Sequence, residues 1–379
     1  MRKVTSCILL IFITLLLSGC WDMIDINQAA VVTGVGIDYR QGQVIYTTQF
    51  AQRASLLDKG TAEPLTENIT SQGKTVTEAA RSVLLIAPEF PLWAHADVIM
   101  IGENLARDNL DILTDFLARN RNLRPEISLL LAYQETPEKL LNVALPLSPH
   151  SGTAINQLLE NNESLEGVHV KVITKDFLSD LITPGIDPVL PQISLSENNN
   201  LYLSGMAVFK GRRMVGSLNE QESRGYRWLN YKANQGGTLT VYSPIDKKAL
   251  TFMITNISNK IRPLFKDDQL QCRIEVNTSL NLLEQTGEGN LMTGPRRRQM
   301  EQLANKEIKR QIESCIDKAQ SLHSDILGLG LMTYRYYPEY WQEVQDDWYK
   351  IYPHLQTQIK VESLLAGGYL LNHSADLEN

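Results

Sequence analysis

The sequence predicts an α+β protein of more than one domain, built from mixed β-sheets with packed helices. Three observations carry this. The chain has 379 residues, enough for two or three domains of ordinary size. Its first part alternates β-branched runs with helix-period runs, which argues against an all-β sandwich. Its second part holds two long alternating runs and then one long amphipathic run.

Ala29 to Asp38 are rich in β-branched residues and end in turn formers, so they read as a strand. Val44 to Phe50 alternates and forms its hairpin partner across Tyr39–Gln43. Thr75 to Ala87 places Val76, Ala79, Ala80, Val83 and Leu84 at helical spacing, with Thr75 and Glu78 as a capping box. Val98–Ile101 and Ile127–Tyr133 are buried-type strands on either side of a helix over Leu110–Ala118. Residues 183–200, with Pro184, Gly185, Pro188, Pro191 and three successive Asn, have the composition of a boundary loop. The main division therefore falls near residue 198. It separates an N-terminal α/β region (20–197, with a weaker subdivision near 145–150) from a C-terminal domain (198–379). In the latter, Leu201–Phe209, Ala249–Ile261 and Leu270–Leu283 read as strands, and Leu355–Leu365 as a closing strand. Between them a helix spans about 295–322. Met300, Leu303, Ala304, Ile308, Ile312, Cys315, Ile316, Ala319 and Leu322 form its apolar stripe, and Pro295 suits its first turn.

Hydrophobic residues make up 43% and charged residues 21%, which excludes a mainly disordered or multi-span chain. With 36 Lys+Arg against 43 Asp+Glu the net charge is −7. Nucleic acid is a poor partner for such a chain, because phosphate neutralisation needs a basic excess.

The first twenty residues carry their own signal. Arg2 and Lys3 precede an apolar run from Val4 to Leu17, too short for a comfortable span. Leu17-Ser18-Gly19-Cys20 resembles a bacterial lipobox. Residues 1–19 then form a lipoprotein signal peptide, and the Cys20 thiol takes diacylglycerol. Two acyl chains give a lasting anchor where one gives only reversible binding. No later stretch approaches 18 apolar residues, so the rest is expected to be a tethered soluble body, monomeric when alone. Cys272 and Cys315 are the remaining cysteines. An exported protein permits a disulfide between them, but a strand position and a helix-stripe position favour two buried free thiols.

Catalytic and metal signatures are sparse. The six His residues form no His-x-x-x-His pair, and His95 with Asp97 reads as a partly buried, hydrogen-bonded His. There is no Gly-x-Ser-x-Gly, Gly34-Val35-Gly36 lacks the third Gly of a dinucleotide loop, and no Walker-type Gly-Lys-Ser/Thr occurs. These absences do not exclude an enzyme, but they leave no catalytic, metal or cofactor constellation to name. Arg296, Arg297 and Arg298, with Lys306, Lys309 and Arg310, alternate with Glu301, Glu307 and Glu313, as on a solvated helix face. Arg119, Arg121 and Arg124 suit an exposed helix end. Eight Tyr and Trp residues crowd into Tyr334–Tyr352. Such rings serve either a core or a partner surface. On the second reading Tyr340, Trp341 and Trp348 are the partner-binding anchors.

Three blocks together resemble one family. Cys20-Trp21-Asp22 leads to Ile24-Asp25-Ile26-Asn27 and Gly34-Val35-Gly36-Ile37-Asp38. Gly205 to Gly211 is followed by Met214-Val215-Gly216 and Glu222-Ser223-Arg224-Gly225. Asp325-Ile326-Leu327-Gly328-Leu329-Gly330 is followed by Tyr340-Trp341 and Trp348. They resemble the Ger(x)C lipoproteins, the C subunits of GerA-type spore germinant receptors, although Asp25 stands where that family more often has Glu. The resemblance implies three mixed α/β domains and no known enzymatic activity. It also implies a place on the outer face of the spore inner membrane, beside two integral-membrane partners, the A and B subunits. The alternative is a free-standing extracytoplasmic solute-binding lipoprotein, with a ligand cleft between two lobes.

Overall fold

The structure, a computed structural model, describes residues 28–51, 66–143, 145, 148, 150–243, 248–267, 269–285 and 294–368. The expected signal peptide and Cys20 lie outside them, as does part of the weaker boundary at 145–150.

The chain opens with the hairpin β1 (Ala29–Arg40) and β2 (Gln43–Ala51), turned by Gln41 and Gly42 at φ 52 and 80. β3 (Thr66–Gly73) adds an antiparallel edge. Helix α1 (Val76–Ser82) follows. The Thr75 hydroxyl accepts from the Glu78 amide at 3.1 Å, and the Glu78 carboxylate accepts from the Lys74 amide at 2.7 Å. The helical run expected to reach Ala87 tightens after Ser82 into a 3₁₀ turn over Val83–Leu85.

β4 (Phe90–Leu92) and β5 (Val98–Gly102) lie parallel to β1. Then come α2 (Glu103–Asp108), α3 (Leu110–Arg119), β6 (Ser128–Ala132), α4 (Pro137–Leu141), α5 (Ser151–Asn161) and α6 (Thr174–Ile182). β7 (Val189–Leu195), β8 (Leu201–Lys210) and β9 (Arg213–Leu218) complete a nine-stranded mixed sheet. Its path is β3-β2-β1-β5-β6-β7-β8-β9, with β4 beside β1. Helices cover both faces of its parallel centre, which is why β5 and β6 read as unbroken apolar runs.

α7 (Glu220–Leu229) leads to the second sheet, ordered β10 (Thr238–Tyr242), β11 (Ala249–Lys266), β12 (Gln269–Gln285) and β13 (Gln356–Gly368). β12 and β13 run parallel, so the chain crosses between them. The crossing consists of α8 (Gly294–Ser321), α9 (Leu329–Tyr336), α10 (Pro338–Val344) and α11 (Trp348–Ile351). Met300, Ala304, Ile308, Ile312, Cys315 and Ala319 of α8 are buried on the sheet, as the stripe predicts. The opposite face pairs its charges: Arg297 with Glu301, Arg310 with Glu307 and Lys309 with Glu313.

The molecule is an α+β protein of mixed sheets with packed helices, and it holds three apolar cores. One lies on each face of the large sheet, and the third lies under the small sheet. Residue 198 falls in the short connection of the β7–β8 hairpin, so the large sheet continues through it to Leu218. The last strands serve two bodies at once. Ala207, Phe209 and Met214 pack into a large-sheet core, whereas Met206, Val208 and Leu218 join the core under the small sheet.

Gly34 and Gly36 of the first block are explained by close packing. A Cβ on Gly34 would lie 2.9 Å from Leu141 Cδ2, and one on Gly36 would lie 2.7 Å from Pro137 Cβ, so only bare backbone lets α4 approach β1. The fully buried Gln49 locks the same contact. Its Oε1 accepts from Gly152 N (2.8 Å) and Thr33 Oγ1 (3.0 Å), and its Nε2 donates to Leu141 O (2.7 Å).

Candidate functional site

The second and third blocks meet where the two sheets join. Asp187 precedes β7 and Asp325 follows α8, and both are buried. Asp325 Oδ1 accepts from Leu329 N at 3.0 Å, and Oδ2 accepts from Gly330 N at 2.7 Å and from Trp348 Nε1 at 3.0 Å. Asp187 Oδ2 accepts from Asp325 N at 2.8 Å, while Oδ1 accepts from Gly211 N at 2.7 Å and from the Tyr349 hydroxyl at 2.8 Å. Asp187 N in turn donates to Asp325 O, and Ser324 Oγ donates to Phe209 O. Two carboxylates thus clamp the β8–β9 turn, the loop after α8 and the aromatic segment into one unit. Burial raises both carboxyl pKa values. Asp325, with Asp187 adding repulsion, is pushed up to about 7 against the pull of its three N–H donors.

The aromatic segment divides at this junction. Trp341 and Trp348 are 5% and 2% exposed, stack edge-to-face at 5.3 Å, and belong to the core. Neither is available as a surface anchor in this chain. The expectation that they face a partner is corrected by the carboxylate beneath them: the Trp348 indole N–H is used by Asp325. Tyr340 is half-buried and packs at 5.0 Å against Phe265, near the end of the long β11–β12 hairpin. Phe265 also meets Tyr337 at 5.1 Å and is 41% exposed. Tyr334 and Tyr336 are exposed as well, so an aromatic surface exists, but it is built of Tyr and Phe.

His95 is exposed rather than partly buried, and its neighbour Asp97 accepts instead from Thr153 Oγ1 at 2.7 Å. Cys272 and Cys315 are free and buried, and burial pushes the Cys272 thiol up to about 12 and raises that of Cys315. Among the described residues no group of three or more His, Cys, Asp or Glu is arranged to hold a metal ion. Nor is any helix there long and apolar enough to cross a membrane.

Other polar groups at the join escape sequence reasoning. The Arg227 guanidinium is 2% exposed, and its Nη2 donates to the carbonyls of Glu163 (3.2 Å) and Gln235 (2.6 Å). Burial lowers its pKa to about 10 and raises that of the Glu163 carboxyl. His169 is buried against Asn162 at 2.9 Å, and its pKa falls to about 4 through burial and the nearby Arg224. An open cleft of about 610 Å³ lies here, lined by Glu163, Lys171, Arg227, Lys232 and Asn234 from one side and Thr255 from the other.

Comparison with known proteins agrees with this architecture. The family model "Spore germination protein N-terminal domain" matches residues 22–195, and "Spore germination B3/GerAC like, C-terminal" matches residues 204–367. The chain belongs to the Ger(x)C family of spore germination proteins. The two family models leave a gap over residues 196–203, which holds the β7–β8 connection and the first residues of β8. Spore germination protein KC of Bacillus subtilis is 24% identical, with 98% of this chain and 97% of that protein covered. Spore germination protein B3 of the same organism is 26% identical, with 93% and 94% covered. The crystal structure of the GerBC protein has the same fold, with a TM-score of 0.56 at 21% identity, covering 88% of this chain and 97% of that one.

Proposed function

We propose that this chain is the membrane-anchored lipoprotein subunit of a spore nutrient germinant receptor. In this reading acylated Cys20 holds it to the outer face of the spore inner membrane, where it works with two integral-membrane partners, the A and B subunits. The observation that carries the reading is similarity along almost the whole length to spore germination proteins, joined to the Ger(x)C sequence blocks. Among the described residues of those blocks, Gly34, Gly36, Gly211, Asp325, Gly330 and Trp348 serve packing or the Asp187–Asp325 clamp, which suits a subunit that binds and positions rather than one that turns over substrate. The exposed Phe265, Tyr334 and Tyr336, with half-buried Tyr337 and Tyr340, form the partner-docking surface. The division of the chain near residue 198 is kept as a division of family modules that share one sheet.

Two measurements test this. Cys20→Ala should lose fatty-acid label and leave the membrane, and label retained on the variant would end the lipoprotein reading. A tagged chain should bring down two integral-membrane subunits from spore membranes. A Tyr340→Ala/Phe265→Ala variant should bring down roughly thirtyfold less, as expected when interface anchors worth about 2 kcal/mol are lost. The 610 Å³ cleft keeps a solute-binding lipoprotein as the second reading. Calorimetric binding of an amino acid or sugar by the isolated chain, with no membrane subunits recovered, would favour it.

A further inference from the structure

Five large apolar side chains stand exposed between α1 and β4 and at the start of β1. Leu84, Leu85, Ile86 and Phe90 are 43%, 87%, 58% and 38% exposed, and Val31 is 37% exposed. Soluble surfaces seldom gather so many large apolar side chains without an occupant. The register brings Phe90 beside the start of β1. β4 lies parallel to the start of β1, with Ala29 opposite Phe90 and Val31 opposite Leu92, while Leu84 and Leu85 sit on the 3₁₀ turn just before β4. Glu89, the acid in this stretch, is half-buried and engaged.

A cleft of about 340 Å³ adjoins this surface, lined by Arg81, Arg119, Arg121, Trp93 and Asp115. Trp93 connects the two features, because it packs edge-to-face on Phe90 at 6.2 Å and also walls the cleft. Its indole N–H is buried and has no hydrogen-bond partner among the described residues. Arg119 pairs with Asp115 at 2.7 Å in an exposed bridge, whereas Arg81 and Arg121 have no ionic partner among the described residues. An apolar prow beside a cationic cleft with an unused N–H donor matches one occupant, the surface of a bilayer containing anionic phospholipid. The apolar side chains enter the acyl boundary, and the cleft receives a headgroup phosphate.

The position of the chain start points the same way. Eight residue steps lead from Cys20 to Gln28, the residue before β1. Fully extended, they span at most about 28 Å. An acylated Cys20 therefore keeps the start of β1 within about 28 Å of the lipid. We propose that Leu84, Leu85, Ile86 and Phe90, with the Arg81–Arg121–Trp93 cleft, form the face by which this subunit lies on the membrane. This rests on the lipoprotein reading for its orientation and adds a second membrane contact to the acyl chains.

The full acylated chain, carrying Leu85→Cys labelled with an environment-sensitive fluorophore, would be reconstituted into phosphatidylglycerol-containing vesicles. Cys272 and Cys315 are buried and do not compete for the label. Tyr242→Cys, at a site 70% exposed on the small sheet, is the control. The expected result is quenching of the label at 85 by spin-labelled acyl chains, with no quenching at 242. Arg81→Ala/Arg121→Ala should lower the docked fraction at 85 roughly twentyfold, since a basic residue at an anionic surface contributes about fivefold. Labels at 85 and 242 that are equally unquenched would overturn the proposal. So would a label at 85 that is shielded without vesicles, because a segment of the chain or a protein would then cover the patch. Fatty-acid content of the same preparation reads the anchor separately. Acylated protein with an unquenched label sinks only the docking face, and quenched protein without fatty acid sinks only the anchor.

Discussion

Replacing Trp348 tests whether the aromatic segment is a core or a contact surface. The indole is 2% exposed, lies 5.3 Å from Trp341 and donates to the buried Asp325 carboxylate at 3.0 Å. Trp348→Ala removes the ring and the hydrogen bond together. Large-to-small changes of this size in a core cost about 3–5 kcal/mol. Set against a total stability of about 5–15 kcal/mol, that is at least about a fifth of what holds the fold. At roughly 2–4 °C per kcal/mol for a body of this size, the melting temperature should fall by about 6–20 °C.

Trp348→Phe separates the two contributions. It keeps most of the apolar contact but leaves one oxygen of Asp325 short of a donor, which costs about 1–3 kcal/mol for a buried group. Tyr336→Ala, at a site 55% exposed, is the control and should stay within about 0.5 kcal/mol of wild type. Urea unfolding of the three variants, followed by circular dichroism, gives the comparison. If Trp348→Ala unfolds at the wild-type midpoint, the ring is not core and the clamp does not hold the two sheets together.

Gly330→Ala should cost about 1–3 kcal/mol, because its Cβ would stand 2.7 Å from Gly185 Cα and 2.8 Å from both Trp341 Cη2 and Trp348 Nε1. A changed tryptophan emission spectrum in the folded protein would register that crowding. Arg227→Ala should lower stability by about 2–4 kcal/mol, since it strands the Glu163 and Gln235 carbonyls and removes a buried stem, and the urea midpoint reads it. Asp325 and His169 act oppositely with pH. The folded chain holds a proton on Asp325 up to about 7, where the unfolded chain releases it near 3.8, so this group's contribution to stability falls as pH rises through that window. His169 stays neutral down to about 4 when folded but is protonated below 6.5 when unfolded, so its contribution is lost as pH falls. The urea-midpoint gap between wild type and Asp325→Asn should therefore be smaller at pH 8 than at pH 5, and a gap that widens would contradict the buried neutral carboxyl.

Much of the fold is legible where apolar period and element length agree. β1, β2, β5, β6, the long hairpin and α8 all declare themselves through side chains that must face a core. β3 does not, because its Thr-Glu-Asn-Ile-Thr-Ser-Gln-Gly run is an edge strand held by backbone pairing and carries few apolar residues. β7 was masked by Pro191 within a proline-rich stretch. The sheet tolerates it because the β6 register covers only Gln192 and Ile193, so Pro191 has no parallel neighbour to donate to. The buried junction was hidden for another reason. Asp187 and Asp325 are 138 positions apart, and nothing in the local pattern around either announces a carboxylate facing inward. The Trp clustering was visible, but whether an indole N–H meets water or a buried acid is decided by that long-range pairing.

The same pairing separates what the sequence blocks specify from what the surface adds. Gly34 and Gly36 let α4 touch the sheet, Gly211 feeds a backbone N–H to Asp187, and Gly330 and Trp348 feed theirs to Asp325. These residues fix one frame, a nine-stranded sheet locked to a four-stranded one, and in doing so they use up their own hydrogen-bonding groups. Groups consumed inside the frame have nothing left to offer a ligand. The proposed recognition then falls to side chains that the frame displays without needing them, and two such sets stand out. One is the Phe265–Tyr337–Tyr340 cluster on the small sheet, and the other is the Leu84–Phe90 prow with Arg81 and Arg121 on the large one. They sit on different sheets, so a rigid clamp between the sheets fixes their relative placement. On the docking reading proposed above, loosening it at Trp348 or Gly330 should lower recovery of the membrane subunits without altering a single exposed residue, and unchanged recovery from a loosened variant would limit the buried acid pair to a role in stability.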